Sequence, residues 1–552
     1  MSSKLKILFV APEVAPFTKT GGLADVAGSL PQALKEHGHD VRVVMPEYAQ
    51  IPDEYIKKLE HELHFRTNIV WRNEYVGINK LVHEDVITYF VDNKNYFYRS
   101  SIYENNDKEV QFAFFARAVL EMLPLLDFKP DIIHCNDWQT GPICLMLEDN
   151  YCQYNFYQDI KTVFTIHNLR YQGHFLPRVV GDVLGVDSSH WVEGNIRHNG
   201  LVNYMKTGIM YADRITTVSK TYAEEIKTPY FGEELDYALR IRGNDLDGII
   251  NGISYGQFNP ATDEYIFQNY SQENIKSKYK NKEQLQQKVG LPVDKEVPLI
   301  GIVSRLVEQK GFDLIAAAID DIMENDLQLV VLGTGQQQYE EMFLRAAEEY
   351  PQKLAAVIKY DAGLARQIYA GTDLFLMPSR FEPCGLGQMI AMKYGTIPIV
   401  RETGGLNDTV INYDPKTNTG CGFSFENYNA HDMLHTIHQA IHYYSQPQIW
   451  AGIINRAMSK DFSWNNSAAQ YLELYSELTG KKALIRRKQG KIDLNKADKE
   501  QLQQLKGIGP AYAERIIAYR KEHGKFKNKE EIMNVTGIAK RSYKNIKNKL
   551  TT

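Results

Sequence analysis

Two loops of the chain place charged residues directly after apolar runs of strand length. Residues 304–311 (SRLVEQKG) follow the apolar run 299–303 and place Arg305 and Lys310 on one loop. A planar guanidinium and a compact ammonium together suit a diphosphate, although a solvated loop with two cations explains the same pattern. Residues 378–387 (PSRFEPCGLG) also follow an apolar run, and there Glu382 and the backbone N–H groups could bind sugar hydroxyls.

Two further loops contain a Gly-Gly pair between an apolar run and a helical pattern. They are residues 19–25 (KTGGLAD) and residues 402–406 (ETGGL). Paired glycines let the backbone approach an anion, and Lys19 adds a positive charge to the first loop. Taken alone, a Gly-Gly turn more often serves only the geometry of a strand-to-helix connection. Neither the GxGxxG nor the GxxxxGK[ST] pattern occurs at residues 19–25, which excludes a standard dinucleotide or Walker loop there.

Short apolar runs alternating with helical patterns predict the elements that position these loops. Such runs indicate parallel sheets covered on both faces, so the predicted fold class is α/β with two doubly wound, Rossmann-like domains. Loops at the carboxyl ends of their strands would then face a cleft between the domains. The predicted strands are 6–10, 41–45, 132–135, 162–166 and 215–218 in the first domain, and 299–303, 329–332, 357–359, 374–377 and 397–400 in the second.

Interruptions of this rhythm predict the domain boundaries. Residues 1–250 form the first Rossmann-like domain and 251–480 the second, which the helical pattern at 467–478 is predicted to close. Residues 481–490 are predicted to be a basic linker, and 491–552 a small all-α domain.

The net charge of −5 conceals two regions of opposite charge. Residues 481–552 contain 20 Lys and Arg against 7 Asp and Glu, a net charge of +13, and the rest of the chain has 43 against 61, a net charge of −18. Such asymmetry predicts two parts with different partners.

The spacing of the cysteines and the hydropathy of the chain indicate its cellular compartment. Five cysteines without CxxC spacing favour a reducing compartment over a disulfide framework or a zinc site. The apolar run at 7–11 is too short for a signal-peptide core, and no run approaches the ~20 apolar residues of a membrane span. We therefore expect a cytoplasmic protein that does not contact membranes.

The four loops together closely resemble the bacterial and plant glycogen (starch) synthases, which are retaining glucosyltransferases of the two-domain glycosyltransferase-B fold. Further matches lie at 164–173 (FTIHNLRYQG), 214–226 (RITTVSKTYAEEI), 251–253 (NGI) and 462–464 (FSW), so the resemblance covers residues 4–478. It implies transfer of glucose from ADP-glucose to the non-reducing end of an α-1,4-glucan such as glycogen. It also implies that no metal or other cofactor is needed. UDP-glucose remains the alternative donor.

The resemblance also implies roles for individual residues. Arg305 and Lys310 would bind the donor diphosphate, His167 would contact the donor glucose, and Asp137 would lie near the sugar. Glu382 would hold glucose hydroxyls and stabilise positive charge at the anomeric carbon, with or without acting as a covalent nucleophile. The full set implied to bind the donor is Lys19, Gly21, Gly22, Arg305, Lys310, Tyr360, Cys384, Gly385, Leu386, Thr403, Gly404 and Gly405.

Two of these residues also have structural interpretations. A histidine at a strand end is more often a structural hydrogen-bonding group than a ligand contact, and only the FTIHN context favours a sugar contact for His167. Tyr360 is a candidate wall for the nucleobase, but a core tyrosine is at least as well supported at this position.

The sequence departs from the family pattern at three places. Residues 136–139 read NDWQ where the family commonly has HDWH, Gly387 replaces a threonine, and Gln336 replaces the aspartate of a GTGD motif. None of these changes removes a charged residue that would bind the donor.

The basic tail resembles the paired helix-hairpin-helix module of competence-type DNA-binding proteins. A Gly-Ile-Gly turn at a helix start exposes N–H groups to a phosphate, and lysines add attraction that does not depend on base sequence. This predicts non-specific DNA binding through Lys506, Gly507, Gly509 and Lys540. Ala539 stands where the stronger pattern has glycine. A basic helical domain used for protein contact or assembly remains the alternative.

Two other functions compete with the leading one. The same fold could transfer glucose to another glucan or a glycoconjugate. The chain could instead be a nucleic-acid-binding protein on a degenerate transferase scaffold, although retention of Lys19, Arg305, Lys310 and Glu382 argues against this.

Overall fold

The computed structural model describes residues 3–103, 105–486, 492–503, 505, 507–540, 543, 546–547 and 550–551. The chain divides into two compact units, Met1–Ile485 and Arg486–Thr552. Within the described ranges, no helix is both long and apolar enough to cross a membrane.

The first domain is built on a twisted sheet of nine strands in the order β12-β11-β7-β6-β1-β2-β5-β4-β3. Neighbouring strands from β12 to β5 run parallel, and β4 and β3 extend that edge as an antiparallel hairpin. The strands of this domain, which include a small separate sheet of β8, β9 and β10, are β1 (Lys6–Val10), β2 (Asp40–Pro46), β3 (Glu60–Ile69), β4 (Arg72–His83), β5 (Val86–Asp92), β6 (Ile132–Asn136), β7 (Lys161–Ile166), β8 (His174–Phe175), β9 (Arg197–His198), β10 (Leu201–Asn203), β11 (Arg214–Thr217) and β12 (Leu246–Gly248).

Helices cover both faces of this sheet and bury its apolar strands. They are α1 (Gly22–Glu36), α2 (Asp53–Ile56), α3 (Lys94–Phe97), α4 (Lys108–Leu125), α5 (Gly141–Met146), α6 (Ser189–Val192), α7 (Tyr204–Tyr211), α8 (Lys220–Glu225) and α9 (Asp236–Ile241), with 3-10 turns at Trp138–Thr140 and Gly243–Asp245 and π-helical turns at Leu147–Tyr151 and Val180–Leu184.

The second domain has six parallel strands in the order β15-β14-β13-β16-β17-β18. Its strands are β13 (Leu299–Val303), β14 (Gln328–Leu332), β15 (Leu354–Val357), β16 (Leu374–Met377), β17 (Ile397–Arg401) and β18 (Phe423–Phe425). Its helices are α10 (Lys278–Val289), α11 (Phe312–Glu324), α12 (Gln337–Glu349), α13 (Ala362–Gly371), α14 (Gly387–Lys393), α15 (Gly404–Thr409), α16 (Ala430–Tyr444) and α17 (Pro447–Met458), with 3-10 turns at Gln272–Ser277 and Glu308–Lys310.

These two sheets confirm the predicted fold of two doubly wound α/β domains. Most predicted strands coincide with observed ones to within a residue or two, and α1 begins at Gly22 as expected. The predicted strand 357–359 was wrong, because β15 ends at Val357 and residues 358–359 lie outside it. The hairpin of β3 and β4 was not predicted, because its exposed, mixed sequence lacks the continuous apolar run of a buried strand.

The chain crosses between the domains twice, and the two crossings lie side by side. Ile253 donates its backbone N–H to the carbonyl of Phe462 at 2.7 Å and forms a parallel bridge with Ser463. A β-carbon on Gly252 would come within 2.5 Å of the Trp464 backbone nitrogen, so glycine is needed for this approach.

The helix after the second crossing, α18 (Trp464–Thr479), belongs to the core of the first domain. This corrects the prediction that residues 467–478 close the second domain. Tyr475 donates or accepts a hydrogen bond at 2.6 Å with Nδ1 of the buried His134 on β6. Helical periodicity identifies the apolar face of α18, but it cannot say which of two cores that face covers.

The start of the predicted linker also packs on the first domain. Ser3 donates its backbone N–H to Lys482 at 2.7 Å, Ala483 is buried, and the Leu484 carbonyl lies 2.8 Å from Nε2 of His39. Residues 487–490 of the predicted linker lie outside the described residues.

The C-terminal unit has a small hydrophobic core of its own. Its described elements are α19 (Lys499–Gln503), α20 (Pro510–His523), a 3-10 turn at Lys529–Asn534, and the paired strands β19 (Ile492–Asp493) and β20 (Leu550–Thr551). Two turns repeat within it: Gly507 and Gly537 have φ values of +90° and +95°, and the isoleucine after each glycine is buried.

Candidate active site

Lys310 and Glu382 form a close ion pair in the second domain. The Lys310 Nζ lies 2.5 Å from Oε2 of Glu382, and the two side chains are 19% and 8% exposed. The same oxygen accepts a hydrogen bond from the Ser379 hydroxyl at 3.1 Å. Glu382 Oε1 accepts no hydrogen bond from the described residues, so it is available to a ligand hydroxyl.

Close backbone contacts fix the relative position of the two loops that carry this pair. Gly311 adopts φ +77°, and a β-carbon there would lie 2.0 Å from the Pro378 carbonyl oxygen. The Arg380 N–H donates to the Gln309 carbonyl at 2.9 Å. Because Pro378 follows β16 and Gly311 precedes α11, the pair stands at the carboxyl edge of the sheet.

Arg305 lies on the same edge, two residues after β13, and its side chain is exposed. Among the residues described, no carboxylate lies within ion-pair distance of its guanidinium. The backbone of its loop is held by Gly333 and Gly335, whose β-carbons would come within 1.9 Å of the Ser304 oxygen and 2.2 Å of the Leu306 oxygen. The glycines of the altered GTGD motif therefore position the Arg305 loop.

Asp137 and His167 meet at the carboxyl edge of the first domain's sheet. Asp137 follows β6 at φ +57° and accepts the His167 N–H at 2.7 Å. Nε2 of His167 lies 2.9 Å from Oδ1 of the buried Asn136, so the asparagine that departs from the family pattern orients the histidine ring.

Burial shifts the pKa values of both Asp137 and His167. It raises the pKa of Asp137 to about 7, although the backbone N–H groups of His167 and Asn168 oppose the shift. Burial lowers the pKa of His167 to about 3, so its imidazole is neutral at physiological pH.

Glu13 is a buried carboxylate of this site that the sequence predictions missed. It is 3% exposed and accepts both the N–H and the hydroxyl of Thr20 at 2.6 Å, which anchors the Gly-Gly loop before α1. Burial raises the pKa of this carboxyl, and the two Thr20 hydrogen bonds oppose the shift. Its position three residues after β1 was the available signal, because the other site residues also follow strand ends.

The predicted residues of that first loop lie at its rim. Lys19 is half exposed and donates to Asp25 at 2.7 Å. A β-carbon on Gly22 would meet no atom within 4 Å, and one on Gly21 would meet only Glu13 at 3.8 Å. The α-carbons of Gly21 and Gly22 therefore border open space.

Cys384, Gly385 and Leu386 form the turn before α14. Gln388, which is buried, donates to the carbonyls of Cys384 and Gly385 at 3.0 Å and fixes the turn. Burial raises the pKa of the Cys384 thiol to about 12, so the group is a neutral thiol. Gly385 needs its glycine because its φ is +72°.

The loop before α15 is already hydrogen-bonded within the protein. Glu225 of the first domain accepts the Thr403 hydroxyl at 2.9 Å and the Gly404 N–H at 3.0 Å, and the Gly405 N–H donates to the Glu382 carbonyl at 3.0 Å. The groups expected to face the donor are thus engaged by protein atoms.

Tyr360 is 85% exposed, which excludes the alternative that it is a core residue.

The structure gathers the predicted residues at two facing edges. Asp137, His167 and the Lys19 loop lie on the first domain, and Arg305, Lys310 and Glu382 lie on the second. The contact between Glu225, at the end of the helix that follows β11, and the loop after β17 joins the two domains.

In the C-terminal unit, Lys540 and Gly507 are exposed and Gly509 is the residue before α20. Lys506 lies outside the described residues.

Protein-family models match three parts of the chain. A starch synthase catalytic domain matches residues 6–241, a glycosyl transferases group 1 domain matches residues 281–451, and a helix-hairpin-helix motif matches residues 487–551.

Proteins similar to this chain along most of its length carry the name glycogen synthase. The glycogen synthase of Alkaliphilus metalliredigens is 50% identical over 474 residues, which cover 86% of this chain and 100% of the relative. That of Clostridium novyi is 48% identical over 478 residues, with the same two coverages.

Solved structures agree with these similarities. The catalytic domain of starch synthase IV from Arabidopsis thaliana, bound to ADP and acarbose, is 33% identical, has a TM-score of 0.79, and aligns over 87% of this chain and all of its own. Sucrose-phosphate synthase from Thermosynechococcus elongatus, at 17% identity and a TM-score of 0.55 over 86% of this chain and all of its own, shares the fold.

Proposed function

The chain belongs to the glycogen synthase family of glycosyltransferases with the GT-B fold, and we propose that it transfers glucose from ADP-glucose to the non-reducing end of an α-1,4-glucan with retention of configuration. The observation that carries this proposal is the Lys310–Glu382 pair, held between two strand-end loops. The starch synthase structure bound to ADP supports an adenine nucleotide as the donor.

The second domain binds the diphosphate and stabilises it as a leaving group. Arg305, exposed and without a carboxylate partner among the described residues, presents its guanidinium to the diphosphate. Lys310 bridges Glu382 and the departing phosphate. Its ammonium therefore neutralises the charge that develops as the glycosidic bond breaks.

Glu382 acts on the sugar side of the same bond. With Oε2 engaged by Lys310 and Ser379, Oε1 accepts hydroxyls of the donor glucose. The carboxylate charge stabilises the positive charge that develops at the anomeric carbon.

The first domain supplies neutral and acidic hydrogen-bonding groups to the sugar. His167 is oriented by Asn136 and is neutral, so it contacts glucose as a hydrogen-bonding group and not as a cation. Asp137 and Glu13 face the same region and accept hydroxyls, while Lys19 and the backbone of Gly21 and Gly22 close over the phosphates. Tyr360, Cys384, Gly385 and Leu386 complete the donor site.

The release of nucleoside diphosphate tests the donor assignment. Purified protein is incubated with ADP-glucose or UDP-glucose, each with and without glycogen. We expect glycogen-dependent release of ADP to exceed release of UDP at least tenfold. Faster release from UDP-glucose would make it the donor, and release that does not require a glucan would indicate another acceptor.

The C-terminal unit has a second candidate function, the non-specific binding of DNA. The helix-hairpin-helix match, the net charge of +13 over residues 481–552 and the repeated glycine turns at Gly507 and Gly537 favour it. We expect the protein to retain duplex DNA at low salt, with weaker retention in Lys540→Glu and weaker retention as the salt concentration rises. Equal mobility of free and mixed DNA at low salt would contradict it.

A further inference from the structure

The helices α8 and α15 come from different domains and contact each other at both ends. At each contact, a carboxylate of one helix accepts hydrogen bonds from the start of the other helix. Asp408, near the end of α15, accepts the backbone N–H groups of Lys220 and Thr221 at 2.6 and 3.1 Å. Its other oxygen accepts the Thr221 hydroxyl at 2.6 Å. Glu225, at the end of α8, accepts the Thr403 hydroxyl and the Gly404 N–H.

This arrangement is reciprocal. The first N–H groups of a helix have no acceptor inside the helix, and a carboxylate placed there satisfies them and interacts favourably with the helix dipole. Here Ser219 caps the Tyr222 N–H within its own domain at 3.0 Å, whereas the acceptor for Lys220 and Thr221 belongs to the second domain. Separating the domains would therefore leave helix ends in both domains without these acceptors.

Burial distinguishes the Glu225 contact from a solvated surface pair. Thr403 is fully buried and Glu225 is partly buried. Asn407 adds a further bond across the interface, donating to the Thr221 hydroxyl at 2.9 Å. A matched contrast lies next to Glu225: Glu224 is 76% exposed and pairs with Lys227 of its own domain.

We infer that Glu225 and Asp408 form a reciprocal clasp that holds the two domains in the relative arrangement seen here, and that they are positioning residues for the reaction. The clasp joins the segment after β11 to the loop after β17, so it sets the distance between the Asp137–His167 edge and the Lys310–Glu382 pair. On this account Thr403 and Gly404 serve to join the two domains. The kinetic part of the inference rests on the proposed function.

Hydrogen exchange tests the clasp without any turnover, because each carboxylate protects amides of the other domain. In the full-length protein, Asp408→Ala is expected to speed exchange at Lys220 and Thr221 about tenfold or more, and Glu225→Ala to do so at Gly404. Because the contacts are reciprocal, each substitution should also speed exchange at the other helix end. Glu224→Ala should leave all of these amides as in the wild type.

Kinetics separate positioning from simple stability. We expect Glu225→Ala to lower kcat about 10²-fold while the Kd for ADP, measured by calorimetry, changes less than about threefold. Glu225→Gln, which keeps an oxygen acceptor, should recover most of the lost kcat, and Glu224→Ala should retain wild-type kcat.

The outcomes distinguish the two proposals. Wild-type exchange at residues 220, 221 and 404 in both alanine variants would overturn the clasp. So would faster exchange together with an unchanged kcat. Faster exchange in a protein that shows no transfer from ADP-glucose would leave the domain clasp standing and would contradict the proposed function alone.

Discussion

Nζ of Lys310 lies 2.5 Å from Oε2 of Glu382, although the two residues are 72 positions apart in the chain. On the proposed function, this contact places the cation that would bind the leaving diphosphate directly beside the carboxylate that would bind the sugar. A single short pair can therefore stabilise both partial charges that develop as a glycosyl phosphate bond breaks.

Removal of either member of this pair should nearly abolish transfer. We expect Lys310→Ala and Glu382→Ala each to lower kcat about 10²- to 10³-fold, because each removes a charge that acts mainly in the transition state. Initial rates at saturating ADP-glucose and glycogen give the comparison. Lys416→Ala, a change at an exposed lysine of the same domain, is the control and should retain the wild-type rate. Near-normal kcat in either alanine variant of the pair would refute its assigned role.

The neutral state of His167 predicts the shape of a pH profile. Since the pKa of His167 is lowered to about 3, its charge does not change between about pH 5 and pH 8. We expect His167→Asn to lower kcat/KM while leaving the shape of its pH profile unchanged in that range. If the substitution removed an ionisation near the ordinary histidine value, the imidazole would be titrating and the assignment would be wrong.

Asp137 should make the fold less stable as pH rises. Its pKa is raised from 3.8 to about 7 in the folded protein, so the folded state binds its proton more tightly than the unfolded state does. The resulting stabilisation is complete below pH 3.8 and is lost as pH rises through about 7. Asp137→Asn has no such ionisation, so its Tm relative to the wild type should increase from about pH 5 to pH 8. A difference in Tm that is constant across this range would contradict the shift.

The end of the first unit should matter more for stability than the basic tail. A chain ending at Ile485 keeps the contacts of Ser3 and His39 with residues 482–484, and we expect it to retain the Tm and transfer rate of the full-length protein. A chain ending at Gly480 loses these contacts and should be less stable by about 1 to 3 kcal/mol. Thermal unfolding of the two truncated proteins provides the test, and equal Tm values would show that the segment contributes nothing.

The doubly wound domains could be predicted from the sequence because parallel strands buried on both faces read as continuous apolar runs. Lys6–Val10 and Leu299–Val303 are found at the predicted residues for this reason. The placement of α18 could not be predicted in the same way. Its spacing of apolar residues defines a buried face, but the choice of core depends on where the chain crosses between domains.

The positions of Arg305 and Lys310 on the loop after a strand could be predicted, because that strand reads as a continuous apolar run. Glu13 was missed because a lone carboxylate after a strand carries no pattern, and its role depends on burial and on Thr20. The hydrogen bond between Thr403 and Glu225 could not be predicted either, since it joins positions 178 residues apart in different domains. Contacts across the domain interface have no periodicity in the sequence.

Incorporation of label from ADP-[14C]glucose into glycogen tests the central claim most directly, with the wild type and Glu382→Ala assayed side by side. We predict that the wild type transfers label into precipitable polymer, that β-amylase releases this label as maltose from the non-reducing ends, and that the variant transfers almost none. Absence of label in polymer with the wild-type protein, or equal incorporation by the variant, would contradict the account.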